Sequence, residues 1–425
     1  MSSAEHEDKN RGKTLGILVG GGPAPGINGV IRAATIEARN HGLNVLGLRD
    51  GCKWLAKGDT AHAVPLDVDD VSRIHYLGGS ILGTSRVNPT KDPAMMKATL
   101  GALTELGVDM LVTIGGDDTA HTARTIDRLA GDQVEVAHVP KTIDNDLPLP
   151  GSMATFGYQS ARHLGTSLVQ NIMEDAVTTS RWYYIVAMGR SAGHLAMGIG
   201  KAASATLVVI PEEFRGKPIR FNNLCDILET SVIKRKVMGR DYGVAVLAEG
   251  LAEHIPAEDL AGMDNVERDA HGNIRFSEIQ LGVLLKNEVR KRLKERNVNV
   301  TIVDKNIGYE LRCMAPIPFD MEYTQDLGYA AVRYLLEGNT GAMICVIDGK
   351  LMPLRFEDIL DEKTGKTKIR RVDPDSDFFR VARNYMIRMN DGDFSDHKQL
   401  ARLALVANMS PEQFKERYGY LAQPW

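Results

Sequence analysis

Cysteine is scarce in this sequence, with four in 425 residues, at Cys52, Cys225, Cys313 and Cys345. No CxxC pair occurs, so the pattern indicates neither a zinc ribbon nor a disulfide framework, and we expect free thiols in a reducing cytoplasm. Long apolar runs are missing too, since no stretch reaches the ~18 residues of a membrane span. The first 13 residues carry acids without an apolar segment, which is typical of a short disordered tail and not of a secretory signal.

A surplus of positive charge is also absent. The sequence has 51 Lys+Arg against 55 Asp+Glu, a formal net charge of −4. A general nucleic-acid partner is therefore not favoured, because such binding requires basic residues to neutralise the phosphate backbone. With 43% hydrophobic and 25% charged residues, the composition is that of a folded globular protein. Its length predicts two or three domains, or one large α/β body with an insert.

Apolar runs alternate with helical patterns along the chain. In the first part we predict strands over Leu15–Val19, Leu43–Leu48, Asp109–Ile114 and Val134–Val139. Apolar residues after the first strand fall at helical spacing, at Ile27, Val30, Ile31, Ala34 and Ala38. After about residue 155 we predict helices over Gln159–Val177 and Ser191–Ala203, and strands over Trp182–Ala187, Thr206–Ile210 and Val244–Leu247. Segment 261–273 is polar, which is typical of a surface excursion. This alternation predicts two α/β lobes of mainly parallel, doubly wound sheet with a cleft between them.

Three of the predicted strands end in loops of unusual composition. GGGPAPG follows Val19, GGDDT follows Ile114 and PKTIDND follows Val139. Ligands in open parallel sheets bind beyond the carboxyl ends of strands, so these loops should face one crevice. Glycines let backbone N–H groups approach an anion, and a following helix adds its positive N-terminal end. The loops therefore predict a phosphate-binding edge, although neither G-x-G-x-x-G nor G-x-x-x-x-G-K-[ST] is present.

Four carboxylates, Asp117, Asp118, Asp144 and Asp146, lie on two of these loops. Like charges ~4 Å apart repel by roughly 4 kcal/mol at an effective dielectric near 20, and a bound cation relieves that repulsion. Oxygen ligands beside a phosphate substrate favour Mg²⁺. A purely structural role is also possible at this point, in which Asp118 or Thr119 merely caps the next helix.

The PKTIDND loop combines a lysine, a hydroxyl and two acids within six residues. Lys141 is a candidate for stabilising charge on a phosphoryl group, and Thr142 for hydrogen bonding to an oxygen. Asp144 is a candidate base toward an attacking hydroxyl, with Asp146 orienting it or a metal-bound water. These residue types indicate phosphoryl transfer.

Further on, basic residues lie at the ends of predicted elements: Arg181, Arg190 and Arg312. Arginine forks match the geometry of phosphate, and Glu212 is placed to accept hydrogen bonds from sugar hydroxyls. Taken singly, each arginine is more often a residue of a surface salt bridge, so the prediction rests on their occurrence together.

The motifs GGDDT, PKTIDND, MGR and GYELR, in this order and spacing, resemble the phosphofructokinase family, and specifically its pyrophosphate-dependent branch. The resemblance extends from about Leu15 to about Gly338. It implies the phosphofructokinase fold, with a tail over 1–13 and a lobe for the phosphoryl donor over 14–155, completed by about 311–370. The sugar-phosphate lobe would span 156–310 and be completed by about 371–425.

The resemblance also implies roles for individual residues. Those of the donor site would be Gly21, Gly22, Arg86, Asp118 and Lys141, with Asp117 linked to Mg²⁺. Asp144 would be the base toward the sugar 1-hydroxyl, supported by Thr142 and Asp146. The residues implied for substrate binding are Thr142, Ile143, Asp144, Arg181, Met188, Gly189, Arg190, Glu212, Tyr309, Glu310, Leu311 and Arg312. Arg181 matches a residue lent to a neighbouring subunit, which implies a homodimer or homotetramer with shared active sites.

Two positions decide the donor. ATP-using relatives typically have glycine where this chain has Asp118 and Lys141. A carboxylate at 118 would repel a third phosphate and its nucleoside, and an ammonium at 141 would stabilise the transferred group. The implied reaction converts pyrophosphate and fructose 6-phosphate to phosphate and fructose 1,6-bisphosphate, reversibly, in glycolysis or gluconeogenesis.

Some positions depart from the family pattern: Pro23 replaces an aspartate, Tyr309 a histidine, and no arginine occurs between Arg296 and Arg312. Lys305 is a candidate replacement for that arginine, and sedoheptulose 7-phosphate is a second candidate sugar. An ATP-dependent sugar kinase on the same scaffold and a catalytically dead phosphate sensor are the competing functions. A dinucleotide-dependent dehydrogenase fits poorly, because the glycine spacing is wrong.

Overall fold

The computed structural model describes residues 10–151, 153–260, 279–361, 363 and 367–423. Segment 261–273, predicted as a surface excursion, lies outside the described residues, as do the first nine residues of the predicted tail. No helix within the described ranges is long and apolar enough to cross a membrane.

The strands, numbered in chain order, are β1 (Thr14–Val19), β2 (Asn44–Leu48), β3 (Ala63–Pro65), β4 (Met110–Gly115), β5 (Glu135–Thr142), β6 (Phe156–Gly157), β7 (Trp182–Ala187), β8 (Leu207–Val209), β9 (Gly243–Ala248), β10 (Ile302–Ile307), β11 (Ala342–Ile347) and β12 (Lys350–Arg355). The α-helices span Ile27–Asn40, Val68–Val71, Pro93–Glu105, Asp117–Ala130, Tyr158–Thr179, His194–Ala203, Phe221–Val237, Ala257–Leu260, Leu281–Glu295, Pro318–Leu336, Asp377–Tyr385, Asp391–Ser395, His397–Val406 and Pro411–Tyr418.

The chain forms two compact units, each built from two separate stretches. The first unit contains residues 1–161 and 310–370, and the second contains 162–309 and 371–425. The lobes predicted from the sequence change at about residues 155, 310 and 370.

The first unit is built on one sheet with the strand order β12-β11-β5-β4-β1-β2-β3, and β6 also pairs with β5. β1, β2, β4, β5, β6 and β11 run parallel to their neighbours in this set, whereas β3 and β12 are antiparallel edge strands. Every residue of β4 is buried, as expected for a parallel strand covered on both faces. The helix Ile27–Asn40 buries the residues whose spacing predicted it.

The second unit has a parallel sheet with the order β10-β7-β9-β8. All six residues of β7 and of β9 are buried. The C-terminal residues 371–423 add four α-helices to this unit within the described chain. Both units are therefore α/β with mostly parallel sheets, which confirms the predicted fold class.

Three local predictions need correction. The loop PKTIDND does not begin at Pro140, because β5 continues to Thr142 and Lys141 pairs with Phe156 of β6. The helix predicted from Ser191 begins at His194, because the preceding residues form a turn. The predicted disordered tail is too long, since the buried side chain of Asn10 donates a hydrogen bond to the carbonyl of Leu336 at 3.0 Å.

Candidate active site

The glycine loop after β1 is held against a second loop of the first unit. The Gly21 N–H donates to the Ser85 carbonyl at 2.8 Å, and the Thr84 hydroxyl donates to the Gly21 carbonyl at 2.7 Å. Gly21 has φ +81°, a left-handed conformation that favours glycine. These bonds place the predicted donor residues Gly21, Gly22 and Arg86 on adjoining loops, with Arg86 exposed beside Ser85.

Two cations converge on this glycine loop. Lys141 is 4% exposed, and its ammonium donates a hydrogen bond to the Gly22 carbonyl. A Cβ on Gly21 would lie 3.3 Å from Lys141 Nζ, and a Cβ on Gly22 would lie 2.9 Å from Arg312 Cζ. The absent side chains therefore give both cations access to the loop. Glycine backbone flanked by an ammonium and a guanidinium is suited to a multiply charged anion such as a phosphate group.

Acidic residues begin the helix that follows β4. Asp117 and Asp118 form its first turn, and Gly116 occupies the N-cap position without a side-chain cap. The possibility that Asp118 or Thr119 is the capping residue is therefore wrong. Thr119 instead packs into the space beside Gly115, where a Cβ would lie 2.6 Å from its methyl group. Because β4 and β5 are parallel, Asp117 and Asp118 leave the sheet at the same edge as Lys141.

The loop after β5 is ordered by its own polar groups. The Asp144 N–H donates to the Thr142 hydroxyl at 3.0 Å, and the Thr155 hydroxyl donates to the Thr142 carbonyl at 2.7 Å. Asn145 has φ +57°, and its side-chain oxygen accepts the Thr155 N–H at 3.0 Å. Ile143 is buried, Asp144 is 7% exposed and Asp146 is half-buried. The loop thus presents Asp144 from a turn that short-range hydrogen bonds define.

His138 lies on β5, three residues before Lys141. It is fully buried, and its Nδ1 shares a hydrogen bond with the Thr113 hydroxyl at 2.8 Å. Burial lowers the pKa of this imidazole to about 3, so the ring is neutral at physiological pH.

In the second unit, the turn after β7 is organised by a glutamate that the sequence analysis missed. Glu249 Oε1 accepts the N–H groups of Gly189 at 3.0 Å and Arg190 at 2.6 Å. Arg190 has φ +50°, which this glutamate helps to hold. Met188 packs on Gly308, where an added Cβ would lie 2.9 Å from the Met188 Cβ. Glu249 directly follows β9, so the strand-end rule that identified the other loops also applies to it.

In the described part of the chain, only one of the two carboxylate oxygens of Glu212 accepts hydrogen bonds. Its Oε1 accepts the Gly193 N–H at 2.9 Å and the Val372 N–H at 3.2 Å. Its Oε2 is buried and has no hydrogen-bond partner within the described ranges. Burial raises the pKa of this carboxyl above its ordinary value, an effect opposed by those backbone donors. Buried oxygens normally have partners, so Oε2 is suited to accept from a ligand hydroxyl.

The other predicted substrate residues differ in accessibility. Tyr309 is 76% exposed and Glu310 is exposed, whereas the Leu311 side chain is fully buried in the core. Tyr309 belongs to the second unit, and Glu310, Leu311 and Arg312 belong to the first. Arg181 precedes β7, and its Nε is buried without a hydrogen-bond partner in the described part of the chain.

Among the described residues, no group of three or more His, Cys, Asp or Glu side chains could hold a metal ion. One or two carboxylates completed by phosphate oxygens is the usual arrangement for Mg²⁺. Asp117, at the same edge of the sheet as the glycine loop, fits that arrangement.

Comparison with known proteins shows which family this chain resembles. Residues 14–335 match the family model described as Phosphofructokinase. The chain is 52% identical over 414 residues to a protein of Thermotoga maritima named pyrophosphate--fructose 6-phosphate 1-phosphotransferase, covering 96% of this chain and 99% of that protein. It is 48% identical over 419 residues to a protein of the same name from Naegleria fowleri, covering 96% of each.

A solved structure is similar in fold. The Pichia pastoris phosphofructokinase in the T-state matches with a TM-score of 0.67 and 24% identity. That match covers 82% of this chain but only 35% of the longer yeast chain. The family model alone spans most of the sequence, and both relatives match nearly end to end. The chain belongs to the phosphofructokinase family.

Proposed function

We propose that this chain transfers a phosphoryl group from pyrophosphate to the 1-hydroxyl of fructose 6-phosphate, giving fructose 1,6-bisphosphate and phosphate. The observation that carries the proposal is the convergence of Lys141 and Arg312 on the Gly21–Gly22 loop. The activity in the names of the two relatives at 52% and 48% identity is the same.

Donor binding is assigned to the first unit, and the donor preference follows from charge at the edge of its sheet. Asp118 is exposed in the first turn of its helix, where it would repel additional phosphates of a nucleotide by several kcal/mol; roughly 4 kcal/mol applies at ~4 Å. Lys141 places a buried positive charge on the glycine loop, where it stabilises the transferred group without reorganisation. Pyrophosphate, which is short and has no nucleoside, suits both features. ATP fits neither.

Magnesium is the cofactor that this site would take, with Asp117 as the candidate ligand. Bound there with the phosphate oxygens of the donor, Mg²⁺ supplies neutralisation of charge on the transferring group. Lys141 and Arg312 contribute charge of the same sign from the protein side.

The loop after β5 supplies the acid–base chemistry. Asp144 takes the proton of the sugar 1-hydroxyl as the new O–P bond forms. The bond between the transferred phosphorus and the bridging oxygen breaks, and inorganic phosphate leaves. The Thr142 hydroxyl accepts the Asp144 N–H and so holds the backbone that carries the carboxylate, and Asp146 is proposed to support that carboxylate. In the reverse direction the protonated Asp144 returns the proton.

Sugar-phosphate binding is assigned to the second unit. Met188, Gly189 and Arg190 form the turn that Glu249 holds, and the buried Glu212 Oε2 is suited to a sugar hydroxyl. Tyr309 is exposed and accessible to the same ligand. Fructose 6-phosphate and sedoheptulose 7-phosphate share the groups that these residues would recognise, so a direct comparison of kcat/KM for the two sugars ranks them.

A homodimer or homotetramer with shared active sites completes the proposal. Arg181 is the residue assigned to a neighbouring site. Mixing inactive R181A with inactive D144N protein tests this, because a hybrid carries one intact shared site. Recovery of activity on mixing is expected, and no recovery under conditions that exchange subunits contradicts shared sites.

A donor screen tests the function itself. Purified protein is assayed with fructose 6-phosphate and Mg²⁺, supplied with pyrophosphate or with ATP, and formation of fructose 1,6-bisphosphate is measured. We expect turnover with pyrophosphate, loss with excess EDTA and recovery with added Mg²⁺. Turnover with ATP and none with pyrophosphate would overturn the assignment.

A further inference from the structure

Arg370 contacts the loop that carries Asp144 at four points. Its Nε donates to the Asn145 carbonyl at 3.1 Å, and one guanidinium nitrogen donates to the Met153 carbonyl at 2.6 Å. The other guanidinium nitrogen donates to the Asn145 side-chain oxygen, and the Arg370 backbone N–H donates to the Asp146 carbonyl at 2.8 Å. Arg370 lies 226 residues after Asp144 in the chain (370 − 144) and binds Asn145 and Asp146, the two residues that directly follow Asp144.

The turn at Asn145 explains why such an anchor is needed. Asn145 has φ +57°, a left-handed conformation that asparagine tolerates better than most residues but that still favours glycine. Its carbonyl and its side-chain oxygen both accept from Arg370, and the side-chain oxygen also accepts the Thr155 N–H. The planar guanidinium is therefore bonded to the turn at two atoms in fixed geometry, which a lysine cannot reproduce.

The Arg370 side chain is partly removed from solvent. Arg370 is half-buried, and burial lowers the pKa of its guanidinium although Asp146 and Tyr158 act in the opposite direction. A partly desolvated cation is retained only where its hydrogen bonds are satisfied, and its guanidinium donates to Asn145 and Met153 of this loop. The Arg370 side chain therefore stabilises this loop.

We propose that Arg370 is a positioning residue for Asp144: it fixes the left-handed turn at Asn145 and thereby the direction of the catalytic carboxylate. Arg370 acts through Asn145 and Asp146 and does not touch the reacting atoms. The proposal deepens the proposed function and rests on it for the role of Asp144. A carboxylate displaced by ~1 Å from its reacting geometry loses about 100-fold in rate, so Arg370 should affect kcat in particular.

The first test is kinetic. R370A is expected to lower kcat by about 100-fold while the KM values for pyrophosphate and fructose 6-phosphate stay within about twofold. R370K, which keeps the charge but loses the fork, should show an intermediate loss. Guanidinium ion added to R370A should restore part of kcat in a saturable manner. An R370A enzyme that keeps kcat within about threefold of the wild type, or that loses only affinity for pyrophosphate, overturns the positioning role.

A matched control separates positioning from general stability. Arg292 is also half-buried and hydrogen-bonded through all three nitrogens, to Glu288, Asp226 and Asn222 in the second unit. R292A should lower the melting temperature as much as R370A does and leave kcat unchanged. Equal losses of kcat in R292A and R370A would show that Arg370 acts only through the stability of the fold, which contradicts the positioning role.

The second test does not depend on activity. Hydrogen–deuterium exchange of a peptide covering residues 142–153 should be faster in R370A than in the wild type, and unchanged in R292A. N145G, which permits the same φ but removes the acceptor of both Arg370 and the Thr155 N–H, should lower kcat by a smaller factor in the R370A background than in the wild type, because one of those two bonds is already lost there. Unchanged exchange in R370A overturns the inference, whereas a wild-type protein inactive with pyrophosphate overturns only the proposed function.

Discussion

The substitution Gly22→Ala tests whether the close approach of Arg312 to the glycine loop contributes to turnover of pyrophosphate. The φ of Gly22 lies outside the left-handed region, so alanine is compatible with its backbone. Its Cβ would lie 2.9 Å from Arg312 Cζ, and one guanidinium nitrogen is nearer still. Carbon atoms in normal contact lie ~3.5–4.0 Å apart, so the guanidinium carbon has to move by at least about 0.6–1.1 Å and the nearer nitrogen by more.

That displacement sets the expected size of the effect. A misplacement of ~1 Å in a group that binds the reacting phosphate costs up to about 100-fold in rate, equivalent to about 2.7 kcal/mol in the activation free energy. We expect G22A to lower kcat/KM for pyrophosphate by about 10- to 100-fold (about 1.4 to 2.7 kcal/mol), measured by coupling fructose 1,6-bisphosphate formation to NADH oxidation. The melting temperature should change little, because the side chain that moves is the flexible end of an arginine.

Two comparisons decide whether the reasoning holds. Gly101 lies in the helix Pro93–Glu105 with nothing within 4 Å of an added Cβ, so G101A should leave kcat/KM unchanged. In an R312A background, G22A should cost almost nothing more, because the group that it displaces is already gone. Unchanged kcat/KM in G22A, or an equal loss in the R312A background, would refute the argument.

Three further predictions concern the base, the donor and the core. D144N should lower kcat by about 10²–10⁴-fold with pyrophosphate affinity unchanged by calorimetry, and an unaltered rate would contradict the role as base. The double variant D118G/K141G should lose activity with pyrophosphate in the donor screen; retention of full activity would show that neither residue selects the donor. His138 is neutral in the folded protein, because burial lowers its pKa to about 3, but it binds a proton in the unfolded chain below about pH 6.5. The free energy of unfolding should therefore fall by about 1.4 kcal/mol per pH unit as pH drops below ~6.5. Urea titrations at about pH 7 and pH 5 measure this change, and H138N should lack the contribution of His138 to it. An equal change in the free energy of unfolding in H138N and in the wild type would contradict this prediction.

Much of this fold could be predicted because the signals are local. Apolar strands followed by amphipathic helices predict parallel sheets wherever they occur. The strand-end rule then identified the loops at Gly21, Asp117 and Asp144 without knowledge of the strand order. Thr119 shows a limit of the same reasoning: its type suits a helix cap, but its side chain fills space beside Gly115 instead.

The residues that sequence analysis missed act over long separations. Arg370 binds Asn145, 225 residues away, and no periodicity or motif connects them. Likewise, nothing in the run Ala342–Ile347 indicates that it pairs with β5 and not with a neighbour in sequence. Glu249 is different, since it directly follows β9 and was within reach of the strand-end rule.

The position of β11 has a consequence for biosynthesis. β5 is completed at residue 142, but the strand that pairs with its outer edge begins at residue 342, 200 residues later (342 − 142). At roughly 5–20 residues per second, a ribosome needs about 10–40 s to synthesise that interval. During this time the nascent chain exposes an apolar strand edge of the kind that promotes aggregation. The order of strands in the finished sheet therefore leaves this edge of β5 without β11 until most of the polypeptide has been made.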